Sequence, residues 1–249
     1  MKDLLKKAAE LIVSEKPWVV LTGAGISTES GIPDFRTKNT GLWEQYDPMW
    51  VLSTDALLRR PEVFYGTGLR ILMRFENTRP NPAHQVLAEW EKRGLVEAVI
   101  TQNIDSLHQK AGSQKVLEIH GHLRSAHCMS CGNSYSMQEV ESKVQSGEIP
   151  PRCSCGGQIR PDVVLFGDLL PPDFEKAQAL ARKLPVIVVG SSLTVSPANL
   201  LPRYARKLII INLESTPYDQ HAEIALHGKA GEILVALDTE TKKLTGLTQ

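Results

Sequence analysis

Leu4, Leu5, Ala8, Leu11 and Ile12 fall on one face at helical spacing, and Pro17 closes that pattern before the run Trp18-Val19-Val20-Leu21. The spacing predicts a first helix followed at once by a buried strand. Short apolar runs bounded by polar residues or glycine recur at 96–101, 161–166, 185–189 and 207–212, and such runs suit strands covered on both faces. Helical patterns lie between several of them, at 83–93, 172–183 and 230–237. This alternation predicts an α/β fold with a doubly wound parallel sheet.

Two stretches break the alternation and are expected as insertions. Residues 37–80 are rich in Arg, Pro and aromatics and read as a helical or loop insertion, while 122–160 contain every cysteine and read as a small metal-binding module. The main domain is then discontinuous, built from 1–36, 81–121 and 161–249. Its last residues, DTETKKLTGLTQ at 238–249, carry no apolar period and are expected to fray.

Charge narrows the function classes. Across 249 residues, 28 Lys and Arg balance 28 Asp and Glu. Phosphate-driven binding needs a basic surplus, so no direct nucleic-acid partner is expected. The longest uncharged run, 184–202, contains Gly190, Ser191, Ser192, Ser196, Pro197 and Asn199, which suits a strand, a loop and a helix start, so no membrane partner is expected either. The first residues interleave charge with Leu and Ala and do not read as a secretion signal. A cytoplasmic protein is expected, and in that reducing compartment paired cysteines serve metal binding or redox work more often than structural disulfides.

Candidate chemistry gathers where strands end. Gly23-Ala24-Gly25-Ile26-Ser27-Thr28 follows the first strand, and glycines there permit a tight turn with N–H groups close to a phosphate. Thr28 stands where the dinucleotide fingerprint has a third small residue, and a plain tight turn is the competing reading. Further on, Phe35 offers cover for a flat ring and Arg36 a partner for phosphate, although each taken alone reads first as a core Phe and a surface Arg. Gln102-Asn103-Ile104-Asp105 ends a buried strand and suits either ligand contacts or the cap of a following helix. Leu117-Glu118-Ile119 delivers His120 to a glycine, which suits a general base, with six other histidines competing. Gly190-Ser191-Ser192-Leu193 and Asn212-Leu213-Glu214 are two more strand ends fit for phosphate or ribose.

Cys128 and Cys131, then Cys153 and Cys155, form two close pairs that suit tetrahedral zinc. With all four positions taken by sulfur the metal would be structural. The tight second pair leaves His122 or His127 as a substitute ligand, and a redox pair as the other reading.

In order along the chain, GAGIS at 23–27, GIPDFR at 31–36, TQNID at 101–105, HG at 120–121, the paired cysteines, FGD at 166–168, GSSLTV at 190–195 and INLE at 211–214 resemble the sirtuins of bacterial or archaeal type, a family of NAD-dependent protein-lysine deacylases. The likeness covers roughly 18–237. It implies a Rossmann-like NAD-binding domain, a small zinc module and an active site in the cleft between them. It further implies that NAD is held around Ala24, Thr28, Phe35, Arg36, Gln102, Ser191, Ser192, Asn212 and Ala230, with Gly23, Gly25, Gly190, Leu213 and Glu214 beside them. Ser27, Asn103, Ile104 and Asp105 would enclose nicotinamide and its ribose, and His120 would be the catalytic base. Acyl-lysine would lie in an apolar tunnel near Phe35, Val164 and Phe166, its peptide backbone pairing near Gly167 and near Leu193 to Val195.

The reaction implied is attack of the acyl oxygen on ribose C1′ as nicotinamide leaves, giving an alkylamidate. His120 then helps deprotonate the 2′-hydroxyl, which attacks that intermediate, and water finally releases lysine and O-acyl-ADP-ribose. Acetylated proteins or peptides are the implied partners, with NAD consumed. Relatives that prefer succinyl or malonyl groups carry a Tyr followed three residues later by an Arg. Here Tyr65 is followed by Gly68, with Arg70 two residues too far, so uncharged acyl groups are expected. Asp168 stands where Glu is commoner. ADP-ribosyl transfer to protein and longer-chain deacylation are rivals within the family. An NAD-linked dehydrogenase and a zinc-dependent nucleic-acid-binding module are rivals outside it.

Overall fold

The computed structural model describes residues 1–34, 46–74 and 77–247. Helix α1 (Lys2–Ser14) leads into β1 (Trp18–Thr22), every residue of which is buried, and a short 3-10 helix follows at Ala24–Ser30. The next helices are α2 (Pro48–Val51), α3 (Thr54–Arg59), α4 (Pro61–Val63) and α5 (Leu69–Met73), the last two joined by a wide π turn at Phe64–Gly68. Helix α6 (Pro82–Lys92), capped by Asn81, precedes β2 (Val96–Thr101), α7 (Leu107–Ala111) and β3 (Val116–Glu118). The cysteine region forms β4 (Gly121–Cys128), β5 (Ser134–Ser136), α8 (Met137–Gln145) and β6 (Ile159–Val163). The chain then runs through α9 (Pro172–Lys183), β7 (Val186–Val189), β8 (Leu208–Asn212), β9 (Ile224–His227) and α10 (Ala230–Leu244).

Six strands form one parallel sheet in the order β3-β2-β1-β7-β8-β9. Alternation along the central strands feeds two cores, because successive side chains leave opposite faces of a strand. Val20, Ile187, Val189, Ile209 and Ile211 pack with residues of α1, α6 and α10. Val19, Leu21, Val186, Val188 and Ile210 pack with Ala177 and Ala181 of α9 and with Ala198 and Leu201. The doubly wound sheet is thus covered on both faces, as the unbroken apolar runs require.

A third core joins the two insertions to each other. Val51, Phe64, Tyr65 and Leu69 pack with Ala126, Met137, Val140 and Ile159. The Tyr65 hydroxyl donates to the Ile159 carbonyl at 2.5 Å, and Gln158 Nε2 donates to the Leu57 carbonyl at 2.9 Å.

Two local expectations are corrected, and one strand is added that no expectation covered. The run 161–166 does not join the parallel sheet: its first residues end β6, which is antiparallel to β4 in a separate sheet ordered β5-β4-β6. Ile159, Pro161 and Val163 are buried while Arg160 and Asp162 are only partly so, the two-residue period of a strand covered on one face. β9 carries no apolar run long enough to stand out, yet it pairs with β8 throughout. The tail does not fray from 238, because α10 continues to Leu244. Asp238 accepts from Trp90 Nε1 at 3.0 Å and from Arg93 Nη1 at 2.6 Å, and Thr241 is buried, so polar side chains anchor these turns where apolar ones are missing.

Candidate functional site

From β1 the sheet grows one way through β2 and β3 and the other way through β7, β8 and β9. The order reverses between β1 and β7, and in open α/β sheets ligands bind in the crevice beyond the carboxyl ends of strands at such a point. Gly23 follows β1 there and Gly190 follows β7. Gly25 N–H donates to the Gly190 carbonyl at 2.8 Å, and a Cβ on either Gly23 or Gly25 would stand 2.8 Å from that same oxygen. Gly190 itself is left-handed at φ 62°, and a Cβ on it would run into Ile26 N. These glycines therefore hold two loops against each other, a role beyond the room for phosphate that their positions suggested.

Polar side chains from the ends of β1 and β2 interlock on the floor of the crevice. Asn103 Nδ2 donates to the Gly23 carbonyl at 3.2 Å and to Ser27 Oγ at 3.1 Å, and Ser27 Oγ donates to Asp105 Oδ2 at 2.7 Å. Asp105 Oδ1 accepts from Leu107 N–H at 2.9 Å. The carboxylate thus bonds the first N–H of α7, as the capping reading expects, and also joins the polar floor. Burial raises the Asp105 carboxyl above the ordinary range, and the bonds from Leu107 and Ser27 offset part of that rise. Beside it, Gln102 Nε2 donates to Ser191 Oγ at 2.9 Å, tying β2 to the loop after β7.

His120 leaves β3 and faces the same crevice. Its Nδ1 lies 3.0 Å from the Gln102 carbonyl oxygen, which only accepts, so Nδ1 carries the proton and Nε2 keeps a lone pair. Burial pushes the imidazole below its ordinary value and the bond to Gln102 offsets part of that, which leaves a neutral ring at pH 7. Gly121, at φ 73°, lets the chain turn beneath it, where a Cβ would collide with the Asp162 carbonyl.

The crevice encloses about 970 Å³. Its walls include Gly23, Ala24, Gly25, Ser27 and Thr28, then Gln102, Asn103, Ile104, Asp105 and His120, then Gly190, Ser191 and Ser192, and finally Asn212, Leu213, Glu214 and Ala230. Val164, Phe166, Gly167 and Val195 line it as well. Leu193 is set apart: its side chain is buried in the sheet core and its backbone is left-handed at φ 55°. Phe35 and Arg36 lie outside the described residues. Leu52, Leu72 and Leu123 add apolar wall from the insertions, unsignalled by any motif. Glu29 also escaped sequence reasoning. It accepts from Gly231 N–H at 2.7 Å and so fills the start of α10 beside Ala230.

Across the molecule, the Sγ atoms of Cys128, Cys131, Cys153 and Cys155 all lie within 4.8 Å of one another. Cys128 and Cys155 are 3.5 Å apart, and Cys131 and Cys153 are 3.6 Å apart. Four thiolates about 2.3 Å from one tetrahedral zinc stand at nearly such spacings, so the residues fit that ion. Ser130 N–H points at Cys128 Sγ at 3.4 Å, and a Cβ on Gly157 would come within 2.6 Å of that sulfur. The four sulfurs complete a tetrahedral set without a histidine, and His127 Nδ1 instead contacts Asp162 at 2.5 Å.

The model of the Sir2 family matches residues 23–197. NAD-dependent protein deacetylase 2 of Caldanaerobacter subterraneus subsp. tengcongensis is 54% identical over 235 residues, 94% of each chain. A solved Sir2 structure with deacetylated p53 peptide and 3′-O-acetyl-ADP-ribose matches with a TM-score of 0.90 at 40% identity, over 95% of this chain and 98% of that one. Another, of Sir2 with p53 peptide and NAD+, matches with a TM-score of 0.84 at 38% identity, over 98% and 99%.

Proposed function

This chain belongs to the Sir2 family, and we infer from that membership that it is an NAD-dependent protein deacetylase, moving the acetyl group of acetyl-lysine to ADP-ribose with release of nicotinamide. The observation that carries its chemistry is the 3.0 Å contact between His120 Nδ1 and the Gln102 carbonyl, an acceptor only, which requires the proton on Nδ1 and leaves the Nε2 lone pair for the cleft that His120 lines. In this reading Nε2 takes a proton from a ribose hydroxyl placed over the polar floor, as a general base. Asn103 and Ser27 orient that sugar and the nicotinamide, with Asp105 fixing the Ser27 hydroxyl.

Bound NAD supplies the ADP-ribosyl acceptor and the nicotinamide leaving group. Gly23, Ala24, Gly25 and Thr28 on one side of the switch point, with Gly190, Ser191 and Ser192 on the other, would hold its phosphates and ribose. Asn212, Leu213, Glu214 and Ala230 would flank its far end, and Phe35 and Arg36 belong to the same proposal. Ile104, Val164 and Phe166 would shield the acyl-lysine from water, while the backbone near Gly167 and from Leu193 to Val195 would pair with the peptide. Zinc on the four cysteines would brace the small sheet and leaves no coordination position for substrate.

The proposal takes 1–36, 81–121 and 161–249 as the NAD-binding domain, with 37–80 and 122–160 inserted, although the second insertion is wider by its strand pairing, since Pro161–Val163 of β6 belong to the small sheet with β4. It includes cytoplasmic residence, for which four unpaired thiols set for metal are the supporting feature. Among the described residues no helix is long and apolar enough to cross a membrane. The neutral charge balance supports partners that are acetylated proteins or peptides without direct nucleic-acid contact. Nicotinamide release that requires both NAD and an acetylated peptide tests the reading. Release without peptide, or NADH formation with a small substrate, would overturn it.

A further inference from the structure

The segment 164–168 forms one lip of the cleft, and its backbone is already committed on three sides. Val164 N–H donates to the His120 carbonyl at 2.9 Å, Phe166 N–H to the Leu52 carbonyl at 3.1 Å, and Thr54 N–H to the Phe166 carbonyl at 3.0 Å. The lip therefore touches the backbone of the proposed base and the helical insertion together. Its remaining anchor is an ion pair. Arg160 Nη1 and Nη2 reach Asp168 Oδ1 and Oδ2 at 3.1 and 2.6 Å, a two-point grip, with side chains only 14% and 17% exposed.

The same two groups also hold main chain. Arg160 Nη2 donates to the Val163 carbonyl at 2.9 Å, and Asp168 Oδ2 accepts from Leu165 N–H at 2.8 Å. Asp168 N–H closes the turn onto the Leu165 carbonyl at 3.0 Å. The Asp168 carboxylate thus meets its own turn and the guanidinium at once. Arg160 lies on β6, whose neighbour β4 ends in Cys128, so the pair links the cysteine-bearing sheet to the lip.

We propose that Arg160 and Asp168 are positioning residues for substrate binding, fixing the 164–168 lip in the shape that receives the acetyl-lysine peptide. Neither acts on the reacting atoms. The proposal rests on the reading of this segment as the peptide-binding lip, so its effect belongs to peptide affinity and not to the chemical step or to NAD.

Binding of a fluorescently labelled acetyl-lysine peptide, measured by anisotropy alongside kcat and the KM for each substrate, tests it. Arg160→Gln is expected to weaken peptide binding about tenfold, with kcat at saturating peptide and the KM for NAD within about twofold of the parent. Asp168→Asn should do the same, and the double variant should be no worse than either single one, because both remove one interaction. Asp168→Glu, which keeps the charge, should recover most of the affinity. Unchanged peptide affinity in both single variants, additive losses in the double one, or a fall in kcat with affinity intact would overturn the pairing role. Should the neutral variants not fold, Arg160→Lys keeps the charge without the two-point grip: at least threefold weaker peptide binding supports the proposal, and parent-like binding overturns it. A parent protein that binds no acetyl-lysine peptide would instead overturn the reading of the lip itself.

Discussion

The main-chain carbonyl of Gln102 fixes the ring of His120 through Nδ1 at 3.0 Å. That single contact sets the tautomer and leaves Nε2 basic. Because burial lowers the imidazole pKa, the neutral form that the proposed base requires extends to lower pH than for a free imidazole, and the acidic limb of the rate should be displaced in that direction.

Replacing the proposed base should therefore cost rate without costing the fold. His120→Ala is expected to lower kcat about 10²- to 10⁴-fold while the thermal midpoint stays within a few degrees. A pH–rate profile of the parent should show its acidic limb below the usual imidazole value. Steady-state kinetics and a melting curve on both proteins check this, and a parent-like kcat in the variant removes His120 from the chemistry.

The contact between the two glycine loops leaves no room for a methyl group. Gly190→Ala meets both a left-handed backbone and the nitrogen of Ile26, and Gly25→Ala meets the Gly190 backbone. Each should destabilise the fold by about 2 kcal/mol or more, the range of strained or overpacked sites. Gly31→Ala, at φ 86° but with open space around it, should cost less than Gly190→Ala. Urea titration orders the three, and a neutral Gly190→Ala would contradict the packing argument.

Acid should weaken the fold through a buried histidine pair behind the switch point. His84 and His108 stand edge to face at 4.9 Å; Asn81 Oδ1 engages His84 and Thr22 Oγ1 engages His108. Burial lowers His84 to about 4 and holds His108 well below its ordinary value, with neighbouring His84 adding to the latter. The unfolded chain thus takes up protons near pH 6.5 that the folded one refuses, so stability is complete above that pH and is lost as pH falls toward 4. His84 alone contributes about 3 kcal/mol to this slope, as an upper figure. His84→Gln should flatten the decline of unfolding free energy between pH 6.5 and 4, and an unchanged slope would contradict the assignment.

The expected preference for uncharged acyl groups has a packing basis. The Tyr65 hydroxyl is spent on the Ile159 carbonyl, burial raises its pKa to about 12, and a Cβ on Gly68 would collide with the Val51 carbonyl. Acetyl-lysine peptide should be turned over at least about tenfold more efficiently than its succinyl counterpart, given the ionic partner a carboxylate loses. Gly68→Arg should lower the melting temperature without conferring desuccinylation. Comparable kcat/KM for the two acyl peptides would refute this.

Much of this architecture is legible in the sequence because its signals are local. Strands such as Val186–Val189 announce themselves by unbroken apolar runs, and the cysteine pairs by their spacing. What stays hidden depends on partners far along the chain. The Asp238 turn of α10 is held by Trp90 and Arg93, Glu29 seals the start of α10, and the shared core of the two insertions joins Tyr65 to Ile159. No window of sequence contains both members of such contacts. β6 shows the opposite failure, since its Arg160 and Asp162 alternate with buried neighbours in plain view, and a reading by apolar content alone passes over that period.

The central claim is that NAD is consumed to carry an acetyl group away from lysine. An acetyl-lysine peptide labelled in its acetyl group, incubated with NAD and the protein and followed by mass spectrometry, tests it most directly. The account predicts that the label moves to O-acetyl-ADP-ribose in an amount equal to the nicotinamide released, with unmodified lysine left on the peptide. ADP-ribose retained on the protein or peptide, or labelled acetate released without nicotinamide, would contradict it.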